Sequence, residues 1–146
     1  AADLVAQALR RGEAGPYQIQ AAIAALHAQA PSADQTDWAQ IAALYAALHA
    51  RHPSPVTRLN QAVAIAMARG PEAGLVIIET LEADGQLKGY AYLPAARADL
   101  LRRAGRMAEA ATAYDAALEL TKNATERAYL QSRKSEALAA VQKQDD

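Results

Sequence analysis

Every apolar segment of this chain returns its hydrophobic residues at helical period, and the boundaries between segments read as helix caps. Gly15-Pro16 opens one helix, with proline at the first helical position where no N–H is needed, and the pattern runs to about Ala28. Residues 30–36 form a turn-rich loop. Asp37, with Gln40 three positions on, caps the next helix, which stops before Pro53. Ser54-Pro55 and Gly70-Pro71 repeat the proline start, and Asp84-Gly85 ends the helix from Pro71. Gly89 precedes a helix over Tyr90 to Ala104, and Gly105 separates it from a helix over Met107 to Leu120. Asn123 and Glu126 then cap a last helix reaching about Gln142. With a leading segment from Asp3 to Arg11, the pattern predicts eight helices and no strand.

Taken in order, these helices pair into three hairpins: Pro16 to Ala28 with Asp37 to Arg51, Pro55 to Arg69 with Pro71 to Ala83, and Tyr90 to Ala104 with Arg106 to Leu120. The last helix covers the third pair, and Glu126, Arg127, Arg133, Lys134, Glu136 and Lys143 give it a solvent face. Gly70 and Gly105 stand one supersecondary unit apart, close to the spacing of about 34 residues in a tetratricopeptide repeat. After Gly105, Glu109-Ala110, Tyr114 and Ala117-Leu118 put small and aromatic residues where the second helix must lie close to the first. Gly74, Ile78 and Leu81 align with Ala110, Tyr114 and Ala117 if one residue is missing at the turn. The first pair keeps Tyr45, Leu48 and a closing Pro53. Pro94 stands where the repeat consensus has a large aromatic, and Lys122 where it has proline. The expected fold is all-α, of tetratricopeptide-like hairpin repeats, about three pairs plus a capping helix.

Composition agrees. A chain of 146 residues buries one sizeable core. Alanine is used far beyond its ordinary share, phenylalanine is absent and β-branched residues are sparse, which suits closely packed helices and suits a sheet poorly. A net charge of −1 offers no general attraction to a phosphate backbone or an anionic membrane. Without cysteine there are no disulfides, thiolate nucleophiles or thiolate metal ligands, in keeping with a reducing compartment. No signal, lipidation motif or membrane-spanning apolar run is seen, so the expected location is the cytoplasm. The chain begins Ala1-Ala2-Asp3 inside a helical pattern, as a piece of a larger protein would.

Reactive residues do not gather into a chemical motif. There is no nucleophile with its base, no paired-carboxylate site and no glycine-rich phosphate loop, so the expectation is a non-enzyme without a cofactor. His49 and His52 sit at chelating spacing, yet no Asp, Glu or Cys beside them completes a metal set, and the helix dipole accounts for histidine at a C-terminus. Arg102, Arg103 and Arg106 cluster around Gly105, where cations near a helix end are solvated. Trp38 is expected to pack across the long loop and tether it.

A surface is the better candidate. In this type of repeat the first helix of each pair lines the concave side, and superposing the pairs in register brings Tyr17, Thr57 and Tyr92 to one level, and Gln20, Asn60 and Ala95 to the next. His27, Met67 and Arg102 share a further level, and Asp99 lies between. The candidate partner-binding residues are therefore Tyr17, Gln20, His27, Thr57, Asn60, Tyr92, Asp99 and Arg102, of which Tyr17, Asn60, Tyr92, Asp99 and Arg102 are expected to face solvent in this register. His27 reads equally as a groove residue or a half-buried packing histidine.

Several blocks carry a family resemblance. Residues 15–28 (GPYQIQAAIAALHA), Thr36-Asp37-Trp38, Pro53-Ser54-Pro55-Val56, Leu59-Asn60-Gln61-Ala62-Val63-Ala64, and Ala96 to Arg103 before Gly105-Arg106 together resemble the C-terminal extension of one group of extracytoplasmic-function RNA polymerase sigma factors. The resemblance covers nearly the whole chain and implies a tetratricopeptide-like regulatory or interaction module in bacterial transcription initiation. Both DNA- and polymerase-binding sigma regions are absent from this sequence, so no family DNA contact maps onto it. On this reading residues 1–14 end the linker from those regions and residues 15–146 form the module. Its partners would be proteins, namely its own sigma regions, RNA polymerase or a regulator; promoter DNA would be bound by the full-length factor alone. A stand-alone tetratricopeptide adaptor holding a peptide in its groove, and a small-ligand pocket between helices, are the competing readings. Oligomeric state is left open.

Overall fold

The computed structural model describes residues 15–30 and 35–145. Among them are seven α-helices and no strand: α1 (Pro16–Gln29), α2 (Trp38–Arg51), α3 (Pro55–Arg69), α4 (Pro71–Asp84), α5 (Tyr92–Arg103), α6 (Met107–Leu120) and α7 (Ala124–Asp145). The predicted segment from Asp3 to Arg11, the linker assignment of residues 1–14 and part of the predicted 30–36 loop lie outside the described residues. The fold is all-α, with consecutive helices packed as hairpins. The chain divides into two compact units, Ala1–Arg69 and Gly70–Asp146. The first and third predicted hairpins each fall inside one unit, whereas the second has α3 in the first unit and α4 in the second.

In the first unit α2 packs on both α1 and α3. Ile19, Ala22, Ile23 and Leu26 make the buried stripe of α1, at helical spacing, and Ile41, Leu44 and Leu48 make that of α2. These side chains and Ala64 of α3 form one core. Each fully buried Leu or Ile contributes about 1.5 to 3 kcal/mol, which is why so Ala-rich a sequence spends its few large aliphatics here. Asp37 accepts the Gln40 amide N–H at 3.1 Å, the predicted cap. Trp38 flanks the core with its ring edge-on to His27 at 5.2 Å, joining the start of α2 to the end of α1 across the loop.

Between α2 and α3 the chain turns on His49. Its Nδ1 lies 3.2 Å from the Ser54 nitrogen and 3.1 Å from the Ser54 carbonyl oxygen, and accepts from the first or donates to the second according to the ring tautomer. The His52 N–H donates to the Leu48 carbonyl. Ser54 Oγ accepts the Thr57 N–H, and Pro55 follows at the first helical position.

In the second unit α5 packs on α4 and α6, and α6 on α7. Ala110, Tyr114 and Ala117 are fully buried in α6, as Gly74, Ile78 and Leu81 are buried in α4. Alanine at these levels lets neighbouring helices close up, and the large residue between fills the space they leave. Gly105 has φ +80° while the Arg106 N–H reaches the Leu101 carbonyl at 2.9 Å and the Gly105 N–H the Arg102 carbonyl at 3.1 Å. This left-handed cap satisfies the last carbonyls of α5, and a Cβ added there would meet no atom within 4 Å, so glycine is needed for conformation and not for space.

Two boundaries differ from the sequence pattern. α5 begins at Tyr92, two residues later than expected, because Tyr90 and Leu93 donate their N–H groups to Leu87 and Tyr90 in a tight turn that buries Leu87. α7 runs to Asp145, beyond the expected Gln142. Asn123 caps it as expected, its Oδ1 accepting the Glu126 N–H at 3.0 Å. This helix buries only Leu130 and Ala137 among its apolar residues. Polar contacts supplement that narrow seam: the Arg127 guanidinium donates to the carbonyls of Leu118 (2.6 Å) and Thr121 (2.9 Å) at the C-terminus of α6, where the helix dipole favours a cation. Lys134 pairs with Asp115 at 2.6 Å.

Among the described residues no helix is long and apolar enough to cross a membrane.

Candidate functional site

Four of the predicted surface residues come together in the first unit. Gln20 and His27 of α1, Tyr45 of α2, and Thr57 and Asn60 of α3 line a cleft of about 430 Å³ floored by apolar side chains that include Leu48. The first-of-pair helices α1 and α3 form its walls, because their buried stripes face α2 and leave the polar stripe outward. Among the described residues no Lys, Arg, Asp or Glu lines it. Burial pushes the Tyr45 phenol above its ordinary value. The chemistry on offer is that of hydrogen-bonding groups, two carboxamides, a threonine hydroxyl, a phenol and an imidazole, which suit an amide or hydroxyl ligand. Tyr17, on the same helix, is 85% exposed and takes no part in the lining.

The second unit carries a different cleft. Tyr92, Ala95 and Asp99 of α5 face Glu126, Tyr129 and Leu130 of α7 across about 350 Å³. Asp99 is the centre of a network beneath it. The Tyr114 hydroxyl donates to Asp99 Oδ1 at 2.5 Å and accepts from Arg102 Nε at 3.1 Å. The Tyr129 hydroxyl lies 3.4 Å from both Asp99 oxygens, and Arg102 approaches the same carboxylate at 4.0 Å. Burial first, and the Asp99 carboxylate second, hold the Tyr114 phenol well above its ordinary value; the Arg102 bond works weakly the other way.

This geometry corrects one expectation. Asp99 and Arg102 do not stand in solvent as free groups: both are half-buried and engaged with Tyr114, and Arg102 does not line the cleft. A single-helix register cannot show this, since the partner hydroxyl comes from the neighbouring α6. Of the predicted residues, Tyr92 and Asp99 line the second cleft and Gln20, His27, Thr57 and Asn60 the first. Glu126 and Tyr129 were missed because α7 was read only as a cap. Carrying the repeat one further unit, about 34 residues past Ala95, lands on Tyr129 and would have found it.

The remaining candidates take structural roles. His49 holds the turn before α3, and among the described residues no three His, Cys, Asp or Glu side chains gather as metal ligands. The arginines around Gly105 are dispersed among partners: Arg102 binds Tyr114, while Arg106 bonds Glu72 and Glu109.

Comparison with known proteins gives one informative relative. The chain is 49% identical over 127 residues to an uncharacterized protein of Rhizobium meliloti (strain 1021). The match covers 87% of this chain but 30% of the relative, so the chain corresponds to under a third of that protein's length. No family model matches the chain, and no solved structure matches it.

Proposed function

We propose that this chain is the regulatory, protein-interaction module of an extracytoplasmic-function RNA polymerase sigma factor, acting in the cytoplasm by contact and not by catalysis. One observation carries the reading: the sequence blocks that resemble the sigma-factor extension also supply most of the lining of the first cleft, and Asp99 of the second. Gln20 and His27 come from the block over residues 15–28, Asn60 from Leu59 to Ala64, and Asp99 from Ala96 to Arg103. The Rhizobium relative adds support, being more than three times as long as the shared stretch, with room for regions that bind promoter and polymerase. The net charge of −1 favours a protein partner over DNA for this module itself. The module's contacts would fall on its own sigma regions, on polymerase or on another regulator.

The carboxamide-lined cleft of the first unit also favours a second reading, a tetratricopeptide adaptor that holds an extended peptide through its backbone amides. One experiment separates the two. The full-length protein expressed from its gene is tested for co-elution with core RNA polymerase and for run-off transcription, with and without residues 15–146. The sigma reading expects co-elution, and transcription that changes when the module is removed. A full-length protein that neither binds core polymerase nor starts transcription overturns it in favour of the adaptor.

A further inference from the structure

The cleft of the second unit combines features that the first lacks. Among the described residues its lining holds two carboxylates, Asp99 and Glu126, and no Lys, Arg or His. Two tyrosines stand at its sides with much of their surface uncovered, Tyr92 at 44% and Tyr129 at 46% exposure, and they come from different helices. Between them the floor is apolar, with Ala95 and Leu130. The volume of about 350 Å³ lies at the lower end of small-ligand sites.

We infer that this cleft is a binding site for an organic cation, a guanidinium or alkylammonium group on an aliphatic stem. Each part of the lining suits that chemistry. Aromatic faces attract a cation through the ring quadrupole, as the Arg133 guanidinium over the Tyr129 ring at 5.4 Å already shows, and carboxylates at the rim attract it by charge. The alanine and leucine floor takes the methylene stem, which amphipathic cations lay along apolar surface while the head stays polar. An anion would meet two carboxylates. A purely apolar ligand would have to desolvate them without return. Asp99 is held by the Tyr114 hydroxyl beneath it and the Tyr129 hydroxyl across the cleft, with Arg102 at 4.0 Å answering part of its charge, so its carboxylate is positioned before any ligand arrives. Glu126 is held on its backbone by the Asn123 cap, which leaves its side chain to turn toward the cleft rim. The site goes beyond the transcription reading and does not depend on it, since the lining is the same whatever the whole protein does.

The cation can come from a basic side chain of a protein partner or from a free small amine, and the test separates these. The full 146-residue chain is titrated by NMR with N-acetyl-arginine methylamide, with agmatine, and with N-acetyl-citrulline methylamide, the neutral isostere of the first. Expected are saturable shifts of the Tyr92 and Tyr129 ring signals and the Ala95 methyl with both cations, in the range of about 1 mM as befits a few exposed contacts, and none with citrulline. Glu126→Gln, which keeps shape and cap, should weaken binding about threefold to fivefold, the loss of one exposed ion pair. Its unchanged melting temperature would show that the fold is intact. Tyr92→Leu provides a second variant that removes an aromatic ring from the lining. Agmatine binding as tightly as the capped arginine points to a free amine; a ten-residue arginine peptide binding more tightly than either points to a protein side chain. No saturable shift up to 20 mM, equal shifts with the citrulline isostere, or full affinity in both variants would overturn the assignment. A protein that fails to bind polymerase yet still binds these cations would reject the sigma reading alone.

Discussion

The Tyr114 hydroxyl, on a side chain that is fully buried, donates to the Asp99 carboxylate at 2.5 Å and so fixes α6 to the face of α5 that lines the second cleft. A hydroxyl at that depth needs a partner, and a carboxylate half-open to solvent is one that needs no large desolvation of its own. The same contact therefore serves packing on one side and the cleft on the other. Arg102 completes it by donating to the phenol oxygen, which leaves that hydroxyl both donating and accepting.

Removing either end should cost stability unequally. Tyr114→Phe deletes the hydroxyl and leaves Asp99 with Tyr129 and Arg102, so a loss of about 1.5 to 2 kcal/mol is expected, the lower part of the range for hydrogen bonds to a charged group. Asp99→Ala strands a buried hydroxyl and should cost at least as much. Urea melts of the two single variants and the double variant give the coupling directly. Strictly additive losses would mean that the short contact contributes nothing of its own.

The phenol also predicts alkaline behaviour. Its folded pKa stands above the unfolded value of about 10, so the folded state binds the proton more tightly and the resulting stability is fully present below that pH. Stability is then lost as pH rises beyond about 10, where the unfolded phenol ionises and the folded one resists. Tyr114→Phe should flatten this decline without abolishing it, because burial also raises Tyr45. Unfolding free energies measured at intervals between pH 8 and 11.5 test the sign: a variant that falls as steeply as the parent would place the alkaline sensitivity elsewhere.

Close approach at Ala117 gives a packing prediction. The residue is fully buried in α6, one turn from Tyr114, in a helix packed on both α5 and α7. Ala117→Leu adds volume where alanine was chosen for proximity, with an expected cost of about 1 to 3 kcal/mol. Ala116→Leu, at the exposed neighbouring position, should change little. Equal melting temperatures for the two variants would show that the space beside Ala117 is larger than the packing implies.

Much of this fold was legible because its punctuation is local. Asp37, Ser54 and Asn123 cap their helices through side-chain oxygens within three residues, and Gly105 supplies the left-handed turn its position suggests. The helices at Ala110, Tyr114 and Ala117 were marked by residue size alone. What escaped the sequence is non-local. The bond from Arg127 to the carbonyls closing α6, and the engagement of Asp99 with a tyrosine on another helix, both depend on how neighbouring helices rotate, which no single periodicity encodes. The candidate surface followed the same rule. Gln20, Thr57 and Asn60 lie outward on their own helices and were found, whereas Glu126 and Tyr129 needed α7 to be seen as a wall as well as a cover.

That distinction decides how the proposed regulatory role is to be tested. Substituting Asp99 or Arg102 would disturb the fold together with the surface, since both hold the Tyr114 hydroxyl. Gln20, Thr57 and Asn60 carry no such duty to a buried hydroxyl, and each contributes a neutral polar group to the cleft of the first unit. Replacing the three together by alanine should leave the helical circular dichroism spectrum of this chain intact, with a stability change of about 0.5 kcal/mol at exposed Gln20 and somewhat more at half-buried Thr57 and Asn60. In the full-length protein the same triple variant should alter transcription from its cognate promoter, or its association with core polymerase, if partner contacts run through this cleft. A control set on exposed positions of the second-of-pair helices, Ala43→Ser, Glu79→Gln and Glu119→Gln, should do neither. Transcription that responds equally to both sets, or to neither, would remove the cleft from the regulatory mechanism while leaving the fold as described.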